Sequence, residues 1–424
     1  MTDPIGNLAK AAGILPAYRD LSGNWHNTSR ETNLALLSAM GFKVSKEAQA
    51  AELLDHMENS EDQANSDSWQ VVAAGEVPDI PIEQSAQFVI SFEDGKEFEG
   101  RGSQDLPAMP LGRHRLVLGK RTMTILSAPP SLPSPSRGWG VVLPLAGLRD
   151  ARQGGIGNYK DLEIATAALG ERGASFVGIN PVHAGFPEDQ SEISPYSPSH
   201  RRRMNVMHVA IDDVAPVHIH QDPLINFEKL IPEKRKNLRH AFNRFEENSD
   251  TNEFNRFVAN EGAALRLFAL HQALSSVHGP YWNNWPTPLK NPQSPQCRQA
   301  LQDLAGEIRF HCWLQWMAET QLASVHDTMK KMGMSQGLYL DIAVGTHPWG
   351  AETWMDKCIF ANGAWLGAPP DAFANEGQNW MLAPFNPHAL ARDGFGALAE
   401  TIRKQLQFAG LLRIDHILGF ERAF

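Results

Sequence analysis

One stretch, WGVVLPL at residues 139–145, has the apolar, β-branched composition of a buried strand. A glycine-rich loop follows it, then a helical pattern from Asp161 to Arg172 and a second apolar run, SFVGIN, at residues 175–180. Strand, helix and strand in this order predict a βαβ unit. Two further strands are predicted, at Gly337 to Val344 and at Leu411 to Ile417. The second part of the chain is therefore predicted to be α/β, with four parallel strands.

Each of these four strands ends in polar residues. In a (β/α)8 barrel the carboxyl ends of the strands carry the chemistry. The four ends are the loop at 149–158, Asn180 with His183, Asp341, and the run from Arg413 to His416. A doubly wound sheet could begin with the same four strands, and four strands cannot close a barrel, so the residues alone leave both architectures open.

The sequence before residue 139 has a different character. Residues 1–60 predict short helices, and residues 61–127 predict a small antiparallel β module with turn signals between alternating runs. Residues 128–136, APPSLPSPS, are a Pro/Ser linker. The α/β part then covers residues 137–424, including a mainly helical insert at about 220–333.

The composition restricts the kind of partner. The chain has 424 residues, of which 42% are hydrophobic, and its 38 Lys and Arg against 48 Asp and Glu give a net charge of −10. This balance argues against a nucleic acid or an anionic membrane as the main partner and favours a neutral ligand. The spacing of Cys297, Cys312 and Cys358 fits no metal or redox motif, and no secretory or membrane segment is evident. We therefore expect a cytoplasmic protein.

Tryptophan is unusually abundant, with 11 Trp against five Tyr. Trp282 and Trp285 flank two asparagines, a mixture that suits stacking on sugars. For any single Trp, the simpler interpretation is a core or interface aromatic.

The strongest local signal is LLRIDH at residues 411–416. Alternation along a strand points Arg413 and Asp415 to the same face, where an ion pair would keep the carboxylate charged, as a nucleophile requires. A structural ion pair beneath a loop would have the same pattern, so both interpretations stay open.

Three other motifs do not support a cofactor or metal. QGGIGNY at 153–159 lacks the Lys-Ser/Thr of a phosphate-binding loop, and HIH at 218–220 has no evident third ligand. RRR at 201–203 is most simply a solvated face. We predict no cofactor and no metal.

Five short motifs occur in one order along the chain: GIGNY (155–159), NPVH (180–183), SPYSP (194–198), APPD (368–371) and RIDH (413–416). In these the sequence resembles the 4-alpha-glucanotransferase family, also called amylomaltase or disproportionating enzyme, of the longer bacterial type with an amino-terminal extension. It departs from the family pattern at Arg203 and His208, where aromatic residues are usual, and at Trp349, where glycine is usual.

The resemblance implies a (β/α)8 TIM-type barrel, of which about the first four strands are present, behind an amino-terminal helical and β-rich module. It implies transfer of α-1,4-glucan segments between maltooligosaccharides by a retaining double displacement, without a cofactor and in carbohydrate metabolism such as that of glycogen. Asp415 then looks like the nucleophile and Arg413 like its partner. The implied substrate-binding residues are Tyr196, Asp341, Pro370, Asp371, Gln378, Trp380 and His416. Asp341 could alternatively be a buried structural carboxylate.

In the family, the acid/base glutamate comes from a strand after the nucleophile strand, whereas this sequence has nine residues after Asp415. We therefore expect a carboxyl-terminally truncated chain that is inactive by itself. The alternative is a non-catalytic protein that binds α-glucans through its tryptophans and its amino-terminal module.

Overall fold

The computed structural model describes residues 3–20, 23–64, 69–148, 155–211, 224–420 and 423. The chain forms two compact units. The first consists of residues 1–135 with residues 385–397, and the second of residues 136–384 with residues 398–424.

The first unit contains helices and strands that alternate in short segments. They are α1 (Pro4–Ala11), β1 (Ala17–Arg19), β2 (Trp25–Asn27), α2 (Arg30–Ala39), α3 (Glu47–Ala64), β3 (Trp69–Ala73), β4 (Gln87–Ser91), β5 (Glu97–Arg101), β6 (Gly112–Leu118) and β7 (Arg121–Ala128). The three helices pack around Ile5, Leu8 and Leu37, and the larger sheet buries Phe88 and Ile125.

The larger sheet of this unit is mixed, which corrects the prediction of an antiparallel module. Its strand order is β3-β7-β6-β4-β5. β3 runs parallel to β7, with Trp69 opposite Thr124, whereas β7, β6, β4 and β5 pair antiparallel. Turn signals predict only pairings between strands that are neighbours in sequence. Because β3 and β7 are far apart in sequence, their parallel pairing could not be predicted in this way.

The second unit carries the α/β part and the helical insert. The elements along residues 136–424 are β8 (Gly140–Leu143), α4 (Tyr159–Gly170), β9 (Phe176–Ile179), β10 (His183–Ala184), β11 (His200–Met204), α5 (Phe227–Asn248), α6 (Asn252–His278), α7 (Pro295–Asp303), α8 (Ala305–Lys331), β12 (Gly337–Ile342), α9 (Ala351–Met355), β13 (Leu366–Ala368), β14 (Gln378–Leu382), α10 (Pro387–Arg392), α11 (Gly396–Leu406) and β15 (Leu411–Ile414). Of these, α10 belongs to the first unit. A continuous core joins α4, α6 and α8 to this sheet through residues such as Leu162, Val177 and Leu322.

The central sheet of the second unit has four parallel strands in the order β8-β9-β12-β15. Sequential order without a reversal is the winding of a barrel, whereas a doubly wound sheet reverses its order at a switch point. The doubly wound alternative is thereby excluded for these strands. Within the described residues the sheet is open and does not close into a barrel.

β8 is an outer strand of this sheet, so the prediction that residues 139–145 form a buried strand is wrong in part. Val142 is 66% exposed and Trp139 is 48% exposed. Apolar composition cannot distinguish an outer strand from an inner one, because both contain β-branched residues.

The glycine-rich loop is a structural feature around the start of α4. A Cβ on Gly157 would lie 1.9 Å from the carbonyl oxygen of Leu145, so only glycine fits there. The next residue, Asn158, caps α4 in a capping box with Asp161.

The tryptophans of residues 282–285 belong to the core. Trp282 is 7% exposed and donates its indole N–H to Thr353, and Trp285 is 2% exposed and donates to the carbonyl of Gly279. The sugar-stacking interpretation of these two residues is therefore wrong, because both rings are buried and have no free face for a ligand.

The arginines of residues 201–203 are also largely buried, contrary to the prediction of a solvated face. Arg201 and Glu352 form an ion pair of 2.8 Å, with 3% and 1% of their side chains exposed. Arg203 pairs with Glu261, which also binds Lys404 at 2.8 Å. These partners come from α9, α6 and α11, far along the chain, and so could not be read from the local sequence.

Residues 385–397, which we predicted as part of the barrel half, form part of the first unit. The Asn386 side chain caps α10 and donates a hydrogen bond of 2.8 Å to the carbonyl of Met40. Arg113 donates to the carbonyls of Asp393 and Gly394 at 3.3 and 3.4 Å. The boundary between the two units is therefore discontinuous in sequence.

Candidate active site

The ends of β12 and β15 place two predicted site residues side by side. Asp341 and Arg413 are partners in the parallel register of the two strands. Nη1 of Arg413 lies 2.6 Å from Oδ2 of Asp341, whose side chain is only 8% exposed. Burial raises the pKa of Asp341, and the guanidinium of Arg413 opposes that effect. Oδ1 of Asp341 is buried and has no hydrogen-bond partner among the described residues.

Arg413 also holds Asp415. Its Nη2 lies 3.0 Å from Oδ1 of Asp415, which accepts a hydrogen bond of 3.0 Å from the backbone N–H of His416 as well. His416 has a φ of 49°, so the chain turns sharply just after the strand. The Asp415 side chain is 49% exposed, and within the described part of the chain no hydrogen bond or ion pair engages its Oδ2.

Tyr196 lies on the loop between β10 and β11 and belongs to the same group of residues. Burial raises the pKa of its phenol, and so do the negative charges of Asp341 and Asp415, which are close by. The residue as a whole is 47% exposed. The fold thus gathers Tyr196, Asp341, Arg413 and Asp415 from three separate parts of the sequence.

The hairpin of β13 and β14 brings Trp380 and Gln378 next to His416. The Trp380 ring meets the His416 ring edge-on, with centroids 5.0 Å apart. The Trp380 indole N–H donates to Oε1 of Gln378 at 3.0 Å. These three predicted residues therefore form one contact group beside Asp415.

Pro370 and Asp371 lie in the loop of this hairpin, between β13 and β14. Oδ1 of Asp371 accepts hydrogen bonds from the backbone N–H groups of Phe373 and Ala374 at 2.8 and 2.7 Å, which fixes the loop. Phe373 is 99% exposed at its tip. Sequence reasoning missed Phe373, although the Asp and the Gly377 that bracket it are turn signals.

A cleft of about 880 Å³, measured with its open mouth, lies beside the Tyr196 loop. Among its lining residues are Asn180, His183, Glu192, Ser194, His208 and Gln272. Nε2 of His183 accepts a hydrogen bond of 3.2 Å from the backbone of Ala343, and burial lowers the pKa of His183 to about 4, so the ring is neutral at pH 7. The strand-end residues Asn180 and His183 thus belong to the cleft wall and not to the group around Asp415.

No cluster of three or more His, Cys, Asp or Glu side chains with the geometry of a metal site occurs in the part of the chain that the structure describes. His218 and His220, which we considered as metal ligands, lie outside the described residues, as does the loop segment 149–154. The described helices include none that is long and apolar enough to cross a membrane.

The site and the sheet together define the class of protein. A singly wound parallel sheet that gathers charged side chains at the carboxyl ends of its strands is the arrangement of barrel-type α/β enzymes. Comparison with known proteins agrees with this class. Residues 143–424 match the family model of glycoside hydrolase family 77, described as 4-alpha-glucanotransferase.

Individual relatives bear the same description. A 4-alpha-glucanotransferase of Mycobacterium tuberculosis is 30% identical over 98% of this chain and 65% of its own length. A 4-alpha-glucanotransferase of Haemophilus influenzae is 28% identical over 75% of this chain and 52% of its own length. Amylomaltase from Corynebacterium glutamicum superposes with a TM-score of 0.80 at 24% identity, covering 99% of this chain and 66% of its own. Amylomaltase from Streptococcus agalactiae in complex with acarbose superposes with a TM-score of 0.60 at 21% identity, covering 67% of this chain and 60% of its own.

The chain belongs to the 4-alpha-glucanotransferase family. It spans about two thirds of the length of the mycobacterial relative.

Proposed function

We propose that a complete enzyme containing these residues transfers α-1,4-glucan segments between maltooligosaccharides by a retaining double displacement. The observation that carries this proposal is the position of Arg413, whose guanidinium binds Asp341 and Asp415 and leaves Oδ2 of Asp415 unengaged by the described residues. A carboxylate fixed by one oxygen and exposed at the other is suited to attack a sugar carbon.

In the proposed first step, Oδ2 of Asp415 attacks the anomeric carbon of the donor glucan. The glycosidic bond breaks, its electron pair moves to the departing oxygen, and a general acid supplies the proton. In the second step, the 4-hydroxyl of an acceptor glucan displaces Asp415, and the same acid/base group accepts the hydroxyl proton. Two inversions at one carbon give net retention.

The surrounding residues would bind the sugars. The buried, unpartnered Oδ1 of Asp341 is positioned to accept a hydrogen bond from a donor hydroxyl, and the half-exposed ring of Tyr196 can stack on the same sugar. We assign Trp380, Gln378 and His416 to the sugar-binding surface beside Asp415, and Pro370 with Asp371 to the acceptor side of the hairpin. A loop that covers the intermediate would favour transfer over hydrolysis, because it excludes water.

We further propose that these 424 residues by themselves bind α-glucans without transferring them. The Asp341 carboxylate is bound by the guanidinium of Arg413, which favours the ionised form and suits a hydrogen-bond acceptor better than a proton donor. Removing a general acid typically lowers a rate by about 10² to 10⁴.

Since its three cysteines form no disulfide, we place the protein in the cytoplasm.

Two measurements on the 424-residue chain test these proposals. Calorimetry with maltoheptaose should show saturable binding, and incubation with maltotriose should yield no detectable glucose or longer oligomers. Production of glucose with longer oligomers would support transfer and contradict the proposed inactivity. Absence of binding at millimolar maltoheptaose would contradict both the enzymatic proposal and the binding proposal.

A further inference from the structure

Four aromatic side chains outside the group around Asp415 form a cluster: Phe186, Tyr281, His347 and Trp349. Tyr281 and His347 are stacked with centroids 5.0 Å apart, and Trp349 meets both rings edge-on at 6.2 and 5.6 Å. Phe186 packs behind His347 at 4.9 Å. Phe186 and His347 are buried, whereas Tyr281 and Trp349 are partly exposed, so a buried pair supports a pair of accessible rings.

The loop that carries His347 and Trp349 lies between two parts of the candidate active site. The backbone N–H of His347 donates a hydrogen bond of 2.8 Å to the carbonyl of Pro198, two residues after Tyr196. On its other side, the carbonyl of Thr346 accepts a bond of 2.8 Å from the N–H of Ala383, the residue that follows β14. The aromatic cluster is thereby fixed to the Tyr196 loop and to the base of the β13–β14 hairpin.

Carboxylates accompany these rings. The Tyr281 hydroxyl donates a hydrogen bond of 2.6 Å to Oδ2 of Asp189. Glu192 lies near enough to Tyr281 for its charge to raise the pKa of that phenol, and burial raises the pKa of Glu192 itself. Among the described residues no hydrogen bond or ion pair engages the Glu192 carboxylate, which lines the cleft beside Tyr196. A half-buried carboxylate without a partner is suited to accept a hydrogen bond from a ligand hydroxyl.

We infer that Trp349 and Tyr281, with the carboxylate of Glu192, form an additional glucosyl subsite that only longer α-glucans reach. The ring faces would contact the apolar C–H side of a glucosyl unit, and Glu192 would accept a hydrogen bond from one of its hydroxyls. This inference rests on the proposed function, because it takes an α-glucan as the ligand.

The test compares a short and a long glucan on the 424-residue chain. Titration calorimetry with maltotriose and maltoheptaose should show that Trp349→Gly weakens maltoheptaose binding about tenfold, the effect of losing one good contact, and changes maltotriose binding less than twofold. Glu192→Gln, which keeps the shape and removes the charge, should weaken maltoheptaose binding several-fold. Trp25→Ala, which removes a 70% exposed indole in the first unit, is the matched control and should change neither affinity.

Two further variants separate loss of the ring face from loss of folding. Trp349→Phe should retain most of the maltoheptaose affinity, whereas Trp349→Leu, which fills similar space without an aromatic face, should behave like Trp349→Gly. Unchanged maltoheptaose affinity in Trp349→Leu, or an equal loss for both sugars, would overturn the additional subsite while leaving the proposed function intact. Failure of the unsubstituted chain to bind either sugar would overturn both.

Discussion

Arg413 is the residue on which the candidate site depends, because one guanidinium fixes two carboxylates from different strand ends. Nη1 binds Asp341 at 2.6 Å and Nη2 binds Asp415 at 3.0 Å. The local pairing of Arg413 with Asp415 could be predicted from alternation along one strand. Its pairing with Asp341, 72 residues earlier, could not, because it depends on the parallel register of β12 and β15.

The role of Asp415 can be tested without a general acid. An α-maltotriosyl fluoride carries a leaving group that departs without protonation, so the 424-residue chain should form a covalent adduct detectable by mass spectrometry. Asp415→Asn should slow adduct formation by on the order of 10³ or more, because an amide is isosteric but does not attack. Asp303→Asn, on the exposed side of α7, is the control. Adduct formation at an unchanged rate in Asp415→Asn would show that the nucleophile is misassigned.

Several buried histidines make the stability of the chain depend on pH. Burial lowers the pKa of His183 to about 4 and those of His271 and His311 to about 3, from an ordinary value of 6.5. The unfolded chain therefore binds protons below pH 6.5 that the folded chain does not. The stabilisation that these neutral rings contribute is therefore fully present above pH 6.5, and it is lost as the pH falls towards 3 to 4.

Each such histidine should lower the free energy of unfolding by about 1.4 kcal/mol for each pH unit that the pH falls within that window. Urea denaturation at pH 7.5, 6.5, 5.5 and 5.0 should show the free energy of unfolding falling steeply below pH 6.5. His271→Gln should reduce this dependence of the free energy of unfolding on pH by about one proton. A free energy of unfolding that stays constant from pH 6.5 to 5.0 would show that these rings are protonated in the folded state.

At the scale of elements, the strands and helices of the second unit follow from local patterns, but their surroundings do not. Residues 175–180 predict β9 because a short apolar run bounded by polar residues suits a strand. The burial of Arg201 within β11 depends on Glu352, 151 residues away, which pairs with its charge. A charged residue is predicted to be exposed unless its partner is known. Because the fold brings that partner close, the local sequence does not identify it.

The junction of β8 and α4 gives a prediction about Gly157. Replacing Gly157 by Ala should destabilise the second unit by about 2 kcal/mol or more, because the Cβ would collide with the carbonyl of Leu145. Gly306→Ala is the matched control: it lies in α8 with nothing within 4 Å of the added carbon, and should stabilise by about 0.5 to 1 kcal/mol. Thermal unfolding measures both. Equal melting temperatures for the two variants would contradict the role assigned to Gly157.

At the scale of the whole molecule, the linker predicted at residues 128–136 does not separate two continuous domains. The first unit takes in residues 385–397, which lie between the β13–β14 hairpin and α11. Proline and serine content predicts a linker between domains. It does not indicate that a later segment of the chain returns to the first unit. The composition of residues 385–397 gave no signal for this, since α10 looks like any short amphipathic helix.

The returning segment leads to a prediction about the first unit alone. The contacts that hold residues 385–397 to it include Asn386 to the Met40 carbonyl, His388 to the Ala12 carbonyl and edge-on to Phe42, Arg113 to the carbonyls of Asp393 and Gly394, and Phe395 edge-on against Trp69. A fragment of residues 1–135 should therefore unfold at a lower temperature than the same unit in the whole chain. Adding a synthetic peptide of residues 385–397 at about ten times its dissociation constant should recover about 1.4 kcal/mol, a rise of roughly 4 °C.

A second peptide makes the experiment specific. With Asn386→Ala and His388→Ala together, the peptide loses the contacts of both side chains and should raise the melting temperature of the fragment by less than half as much at the same concentration. If neither peptide changed the melting temperature, residues 385–397 would contribute nothing to the stability of the first unit, and the continuous domain boundary at the linker would be restored.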